Sequence, residues 1–123
     1  MINFDEQYLQ RILREIKNDG LGQSKRILDS LSRIQFESKG KLLEMIDEYV
    51  ESYSTVTVLG CWFMPIIGYA LSQKVNYVQG IDIDDKATRI GRRLFAGIEN
   101  VEFINKDVFK MPNDKMLLSN III

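Results

Sequence analysis

The stretch "TVTVLGCWFMP" (Thr55–Pro65) decides how the chain is interpreted. Val56 to Leu59 form a short, β-branched, apolar run, which is typical of a buried strand. Gly60 ends this run, and Pro65 suits the first turn of a helix, where a missing N–H group is tolerated. The stretch therefore predicts a buried strand that turns directly into a helix.

Three more strands are predicted after the first, in the ranges Tyr77–Ile83, Val101–Asn105 and Met116–Ile123. A helix that Asp84 or Asp85 caps and Gly97 stops lies between the second and third of them. Strands that alternate with helices indicate right-handed βαβ units and a parallel sheet. Residues 55–123 therefore predict a three-layer α/β sheet.

Residues 1–54 show helical spacing instead. The apolar residues of the first helix are Leu9, Ile12, Leu13 and Ile16, and this helix ends near Gly20. The second helix begins at Ser24, and its apolar residues are Ile27, Leu28, Leu31 and Ile34. The third helix has the apolar residues Leu42, Leu43, Ile46, Tyr49 and Val50. We therefore predict a helical amino-terminal segment, residues 1–54, that packs on the sheet formed by residues 55–123.

The composition excludes several classes of function. The 123 residues, 46% of them hydrophobic and 27% charged, suit one globular domain. A net charge of −1 lacks the basic excess of most nucleic-acid binders, although it leaves room for a local basic patch. Because Cys61 is the only cysteine and histidine is absent, no disulfide, Ser–His or Cys–His pair, or metal site is expected.

Nothing in the sequence predicts a membrane segment. The amino terminus, "MINFDEQ", is acidic where a signal peptide would be basic. The longest apolar run, Val58–Leu71, is too short to span a bilayer and is interrupted by Gly60, Pro65 and Gly68. We therefore expect a cytoplasmic protein in a reducing compartment.

The final residues, "NIII" (Asn120–Ile123), predict an apolar strand with no turn after it. Folded proteins avoid an exposed apolar edge strand because it invites aggregation. We therefore expect either an oligomer partner or a missing carboxyl-terminal segment to cover this strand. We favour a fragment, with the sheet truncated after its fourth strand.

Ligands of open α/β sheets bind beyond the carboxyl ends of the strands. The residues at those positions are Gly60, Cys61 and Trp62 after the first strand, Asp82 and Ile83 after the second, and Asp107 and Val108 after the third. Asp82 follows Gly60 by about twenty residues, the distance at which a carboxylate accepts hydrogen bonds from a ribose diol. Asp84 and Asp85 are better placed to cap the next helix, which leaves Asp82 for a ligand.

The first loop argues against a dinucleotide. A pyrophosphate requires G-x-G-x-x-G, so that the backbone can approach the phosphates. Gly60 is followed by Cys, Trp, Phe, Met and Pro instead, and these bulky side chains are expected to fill the phosphate space. An adenosine derivative without phosphate is still compatible with the loop.

The segments "VTVLGCW", "YVQGIDID" and "NVEFINKDVF", in this order, resemble the first half of a class I S-adenosylmethionine-dependent methyltransferase. The resemblance extends from about Thr55 to Ile123 and implies a Rossmann-like domain that binds S-adenosyl-L-methionine. The first motif of the family reads acid-x-Gly-x-Gly-x-Gly. Its four positions are held here by Val58, Gly60, Trp62 and Met64, so only the first glycine is kept.

The resemblance also implies roles for individual residues. Asp82 would bind the ribose hydroxyls, and Ile83 would pack on the adenine. Asp107 would meet the adenine amino group, and Val108 would offer its backbone N–H to the ring. The loop that contains Gly60, Cys61 and Trp62 would lie beside the methionine end of the cofactor.

Each of these residues has an alternative structural role. Cys61 can be a buried corner residue, since no base is present to activate it. Trp62 can pack under the amino-terminal helices, and Asp107 can cap the turn after its strand. Catalytic residues of the family lie in and beyond the loop after the fourth strand, so none is assigned and these residues alone are not expected to complete turnover.

The sequence leaves the methyl acceptor open among nucleic acid, protein and small molecule. Two alternative functions also remain. The chain can be a non-catalytic Rossmann-like interaction module that has lost cofactor binding, as the changed first motif suggests. It can also be an enzyme of the same architecture that uses NAD or a nucleotide.

Overall fold

A computed structural model of the protein describes residues 6–18, 33–110, 119 and 121–123. The helices are α1 (Glu6–Asn18), α2 (Arg33–Asp47), α3 (Ile67–Ser72) and α4 (Asp85–Leu94), with a 3-10 helix at Val108–Lys110. The strands are β1 (Thr55–Leu59), β2 (Tyr77–Asp82), β3 (Val101–Asn105) and β4 (Ile121–Ile122).

The four strands form one parallel sheet in the order β3-β2-β1-β4. Val56 of β1 lies opposite Val78 of β2 on one side and opposite Ile121 of β4 on the other. The chain moves outward from β1 to β3 and then returns to the opposite side of β1 at β4. The predicted α/β, Rossmann-like parallel sheet is therefore confirmed, with a topological switch point between β1 and β4.

The central position of β1 explains its apolar sequence. Val56, Thr57 and Val58 are all buried, because strands pair with β1 on both sides and helices cover the sheet. The hydroxyl of Thr57, which has no exposed surface, contacts the hydroxyl of Ser119 and the side-chain oxygen of Gln79. A polar residue in the strand is thus tolerated because its hydroxyl has hydrogen-bond partners.

Helix α1 is fixed to the α/β part by one apolar face and by side-chain hydrogen bonds. Tyr8, Ile12 and Ile16 recur every four residues and are buried. The Tyr8 hydroxyl donates to the carbonyl of Pro65 at 2.7 Å, and Arg11 donates to the carbonyl of Leu94 at 2.7 Å. The cation of Arg11 thereby satisfies the carboxyl-terminal end of α4, where carbonyl groups lack helical partners.

Several predicted helix boundaries differ from those observed. Helix α2 ends at Asp47, so Tyr49, predicted on its apolar face, lies in the turn that follows and is 69% exposed. Val50 follows the same turn but is buried. Helix α4 ends at Leu94, before the predicted stop at Gly97.

Other predictions fall outside the described residues. They are the ending of the first helix near Gly20, the part of the second helix from Ser24 to residue 32, and residues 116–118 and 120 of the fourth strand. Of the predicted fourth strand, the pairing of Ile121–Ile122 with β1 is observed. Within the described part of the chain, no helix is both long and apolar enough to cross a membrane.

Helix α4 approaches β3 closely at Gly91. A Cβ atom built on Gly91 would lie 2.3 Å from Cε1 of the buried Phe103 ring, far inside van der Waals contact. Gly97, in the turn after the same helix, has no atom within 4 Å of such a Cβ. The absence of a side chain at Gly91 therefore sets the distance between the helix and the sheet.

We predict that Gly91→Ala lowers the free energy of unfolding by about 1–2 kcal/mol, since overpacking a core outweighs the higher helix propensity of alanine. The matched control, Gly97→Ala, should change it by less than about 0.5 kcal/mol. Urea unfolding followed by far-UV circular dichroism measures both. Equal midpoints for the two variants would contradict the close approach of α4 to β3.

Candidate functional site

Two clefts open at the carboxyl edge of the sheet, and Gly60 lines both. The β2–β3 cleft, about 360 Å³, is lined by Gly60, Ile81, Asp82, Ile83, Lys106, Asp107, Val108 and Phe109. The β1–β4 cleft, about 420 Å³, is lined by Lys39, Val58, Leu59, Gly60, Cys61, Trp62, Met64, Pro65, Ile66, Ile67 and Ile123. Both volumes lie in the usual range for small-molecule sites.

The β2–β3 cleft contains most of the predicted site residues. Gly60, Asp82, Ile83, Asp107 and Val108 all line it, although they come from three separate strand ends. Cys61 and Trp62 line the β1–β4 cleft instead. The sheet thus divides the predicted residues between two adjoining clefts that meet at Gly60.

The carboxylate of Asp82 joins the loops that follow β1 and β2. Its Oδ2 accepts the backbone N–H of Trp62 at 2.7 Å, and its Oδ1 accepts the backbone N–H of Asp84 at 2.8 Å. As predicted, Asp84 caps α4, with its Oδ1 accepting from the N–H groups of Lys86 and Ala87. Capping by Asp84 does not leave Asp82 spare, however, because both oxygens of Asp82 accept backbone N–H groups.

Asp82 nevertheless keeps acceptor capacity toward the cleft. An ionised carboxylate has about four lone-pair sites on its two oxygens. The contacts to Trp62 and Asp84 use one site on each oxygen. Two further hydrogen bonds, one to each oxygen, can therefore be accepted from a diol that lies in the β2–β3 cleft.

The loop after β1 adopts a backbone conformation that normally requires glycine. The φ angles are 61° at Gly60, 53° at Trp62 and 32° at Met64. These are the three positions at which the first motif of the methyltransferase family has glycine. Left-handed backbone costs a residue with a side chain about 1–2 kcal/mol, so surrounding contacts must maintain it.

Backbone hydrogen bonds supply those contacts. The N–H of Cys61 donates to the carbonyl of Ile81 at 3.1 Å, and the N–H of Met64 donates to the carbonyl of Cys61 at 3.0 Å. The bonds from Cys61 to Ile81 and from Trp62 to Asp82 tie the loop to the end of β2, and the bond from Met64 to Cys61 closes a turn within the loop. Hydrogen bonds to the neighbouring strand therefore maintain the conformation of the loop, although the second and third glycines of the motif are replaced by Trp62 and Met64.

The sequence predicted that the bulky side chains of this loop fill the space beyond the strand. Two of them, Cys61 and Met64, instead turn into the core. Cys61 and Met64 are 6% and 5% exposed, and a Cβ on Gly80 would lie 2.8 Å from an atom of each. Gly80 thus makes room for them in the core. Trp62, 36% exposed, rests beside the ring of Phe63 at a centroid distance of 4.2 Å.

Asp107 begins the 3-10 helix after β3. Its Oδ1 accepts the backbone N–H of Phe109 at 3.0 Å, so the capping role considered from the sequence is observed. This does not remove Asp107 from a ligand site, since the remaining lone-pair sites of its carboxylate are enough for another donor.

Apolar side chains border the β2–β3 cleft from two strand ends. Ile83 is 71% exposed and Phe109 is 95% exposed, while Val108 is half-buried. Exposed apolar side chains that border a cleft are typical of ligand-binding surfaces. The sequence analysis did not identify Phe109 or Lys106, although both belong to the quoted segment "NVEFINKDVF".

Cys61 lies where burial suppresses its reactivity. Burial, with a smaller contribution from the negative charge of Asp82, raises the pKa of the Cys61 thiol to about 12. The thiol therefore stays protonated at neutral pH and is a poor nucleophile. Among the described residues, no cluster of acidic, cysteine or histidine side chains could hold a metal ion.

Comparison with known proteins supports the class of fold that this geometry defines. The chain has a Rossmann-like α/β fold and resembles the amino-terminal half of the class I S-adenosylmethionine-dependent methyltransferases. No family model matches the sequence. Over 49 residues, 38% of the chain, it is 41% identical to an rRNA adenine N-6-methyltransferase of Limosilactobacillus reuteri.

Two solved structures share the fold. The YcgJ protein of Bacillus subtilis matches 62% of the chain with a TM-score of 0.55 and 19% sequence identity. The 23S rRNA methyltransferase ErmE matches 65% of the chain with a TM-score of 0.50 and 18% identity. The chain spans 20% of the length of the Limosilactobacillus enzyme, 32% of YcgJ and 30% of ErmE.

The two oxygens of Asp82 lead to a stability prediction. Asp82→Asn should lower the free energy of unfolding by about 1–2 kcal/mol, because an amide has a single acceptor oxygen and one backbone N–H loses its partner. Asp84→Asn is the matched control. It should be nearly neutral, since one oxygen makes both capping bonds and asparagine caps as well as aspartate. Thermal and urea unfolding of both variants measure this difference, and an equal effect of the two substitutions would contradict it.

The raised pKa of Cys61 leads to a prediction about its reactivity. At pH 8.5 the thiolate fraction, and so the rate of alkylation by iodoacetamide, should be lower in the folded chain by roughly two to three orders of magnitude. Mass spectrometry of the folded and urea-unfolded chain measures the two rates, and pH 8.5 is well below the pKa of about 12. Similar rates in the two states would show that Cys61 is not buried.

Proposed function

We propose that the chain is the cofactor-binding part of an S-adenosylmethionine-dependent methyltransferase. The observation that carries the proposal is the β2–β3 cleft, which joins a carboxylate with spare acceptor sites to an apolar surface. Such a combination fits an adenosine, whose sugar presents a diol and whose base presents a flat apolar face. The adjoining β1–β4 cleft gives space for a substituent at the 5′ end of the sugar.

Asp82 binds the ribose in this proposal. Its two oxygens are held at 2.7 and 2.8 Å by the N–H groups of Trp62 and Asp84, so the carboxylate is oriented before the ligand arrives. Charge-assisted hydrogen bonds to the two ribose hydroxyls then use the remaining lone-pair sites. Because the carboxylate is already oriented, less conformational entropy is lost on binding.

The adenine lies between the apolar side chains of the β2–β3 cleft. Ile83 packs on one face of the ring, and Val108 and Phe109 border the other side of the cleft. Asp107 accepts a hydrogen bond from the exocyclic amino group, and the backbone N–H of Val108 donates to a ring nitrogen. Gly60, Cys61 and Trp62 lie next to the 5′ substituent.

The retained shape of the first loop supports cofactor binding over its loss. A module that had lost the cofactor would need no left-handed backbone at Trp62 and Met64. Cys61 and Met64 also pack into the core beside Gly80, at 6% and 5% exposure, and do not line the β2–β3 cleft. These observations favour the methyltransferase over the non-catalytic interaction module.

The proposed acceptor is an adenine base of RNA. The support is the 41% identity over 49 residues to an enzyme named as an rRNA adenine N-6-methyltransferase. The bound cofactor supplies an electrophilic methyl group on a sulfonium, so the task of the protein is to position the reactants. The residues of the two clefts bind and orient the cofactor, and no residue is assigned to the transfer of a proton.

Titration calorimetry with S-adenosylhomocysteine tests the proposal. The chain should bind it, and Asp82→Asn should weaken binding by about tenfold or more, since a hydrogen bond from a ribose hydroxyl to a charged acceptor is lost. Asp84→Asn, whose carboxylate faces the start of α4, should bind as the unchanged chain does. The fluorescence of Trp62, the only tryptophan, gives a second readout.

The same titration separates the alternatives. No heat and no thermal shift at millimolar ligand would favour the interaction module. Displacement of S-adenosylhomocysteine by NAD at comparable concentrations would favour a dinucleotide enzyme. Transfer of a labelled methyl group to rRNA tests the acceptor separately from the cofactor.

A further inference from the structure

Basic residues are concentrated on two helices that pack together, α1 and α4. These helices contain seven basic and three acidic residues, although the chain as a whole has a net charge of −1. Five of the seven arginines of the chain lie in them. The charge is therefore unevenly distributed, with a positive excess on α1 and α4.

Arg11 joins the two helices at the carboxyl-terminal end of α4. Its Nη2 donates to the carbonyl of Arg93 at 3.2 Å and to the carbonyl of Leu94 at 2.7 Å. On α4, Lys86, Arg89 and Arg93 are exposed and are spaced by three and four residues, so they share one face of the helix. Cations of α1 thus meet cations of α4 at the end of this face.

The basic face is formed by Arg11 and Arg14 of α1 and by Lys86, Arg89 and Arg93 of α4. No large apolar side chain is exposed on either helix, because all those exposed among the described residues lie elsewhere. Protein partners are recognised mainly through aromatic and apolar anchors, and helices on a membrane surface insert an apolar face. Cations without apolar neighbours fit the repeated anion of a nucleic-acid backbone better.

We propose that the basic face binds the phosphate backbone of the RNA that carries the methyl acceptor. This inference rests on the proposed function and assigns the RNA a docking surface outside the two clefts. Guanidinium groups suit this role, because each presents N–H donors in a planar fork that matches a phosphate.

Two of these guanidinium groups are already oriented. Arg11 is held at the carbonyl groups of α4 through Nη2 alone, which leaves its Nε and Nη1 for a phosphate. Arg89 is held by the carboxylate of Asp85 at 3.1 Å. Because these side chains are oriented in advance, less conformational entropy is lost when a phosphate binds.

Helix α4 connects the basic face to the β2–β3 cleft. It begins at Asp85, directly after the loop that contains Asp82, and its ten residues extend about 15 Å. This distance is shorter than one turn of a nucleic-acid duplex, about 34 Å. A single RNA stem-loop can therefore contact the basic face and also reach the cleft.

Fluorescence anisotropy of a short labelled RNA hairpin tests the inference, between about 50 and 200 mM KCl. The double variant Arg14→Gln/Arg93→Gln should weaken binding by about tenfold or more at the lowest salt concentration. It should also make the slope of log K against log salt shallower by about one to two, because two phosphate contacts are lost. Arg14→Lys/Arg93→Lys should keep most of the affinity, since lysine also neutralises a phosphate.

Lys41→Gln/Lys74→Gln is the matched control. Both lysines are exposed, lie outside α1 and α4, and line neither cleft, so this variant removes the same charge from another surface. It should weaken RNA binding by less than about twofold. Far-UV circular dichroism checks that every variant is folded, and the Arg14→Gln/Arg93→Gln variant should bind S-adenosylhomocysteine as the unchanged chain does.

The outcomes separate this inference from the function on which it rests. Equal weakening by the two glutamine double variants, or no RNA binding by the unchanged chain, would overturn the role of the basic face. Calorimetry with S-adenosylhomocysteine tests the proposed function independently of either result. Binding of polyglutamate as tightly as RNA would indicate an acidic protein partner and would overturn the assignment to RNA. Selective weakening by Arg14→Gln/Arg93→Gln, with rescue by lysine, would support the inference.

Discussion

The arrangement of the candidate site depends on the hydrogen bonds that one carboxylate accepts from two loops. Asp82 at the end of β2 receives the N–H of Trp62 from the neighbouring loop and the N–H of Asp84 from its own. This contact fixes the loop after β1 to the end of β2, beside Gly60, where the two clefts meet. It also orients the carboxylate, so its stabilising role and its proposed role in binding have the same physical origin.

The loop after β1 shows how a backbone conformation can survive the loss of the residues that normally allow it. Trp62 and Met64 take left-handed φ angles because hydrogen bonds to β2 and burial of neighbouring side chains outweigh the local strain. Gly80 contributes from the opposite side, since its missing side chain makes room for Cys61 and Met64. Gly80, in the adjacent strand β2, thus provides room for the side chains that stand in the loop.

The order of the elements could be predicted from the sequence because it depends on local patterns. The β-branched run of β1, the aspartate that caps α4 and the alternation of strands with helices are each visible within a few residues. The ends of α2 and α4 were less well predicted, because the last turn of a helix depends on which carbonyl groups find other partners. Tyr49 illustrates this, since it continues the apolar spacing of α2 but lies beyond its end.

The meeting of Asp82, Ile83, Asp107 and Val108 could be predicted from strand positions, because the carboxyl ends of parallel strands share one edge. Three features became visible only in the folded chain: Cys61 and Met64 turn into the core, Asp82 holds two loops, and Lys39 borders the β1–β4 cleft. The difference lies in the range of the contacts involved. Strand-end positions follow from the periodicity of nearby residues, whereas these three features depend on packing between segments that are distant in the chain.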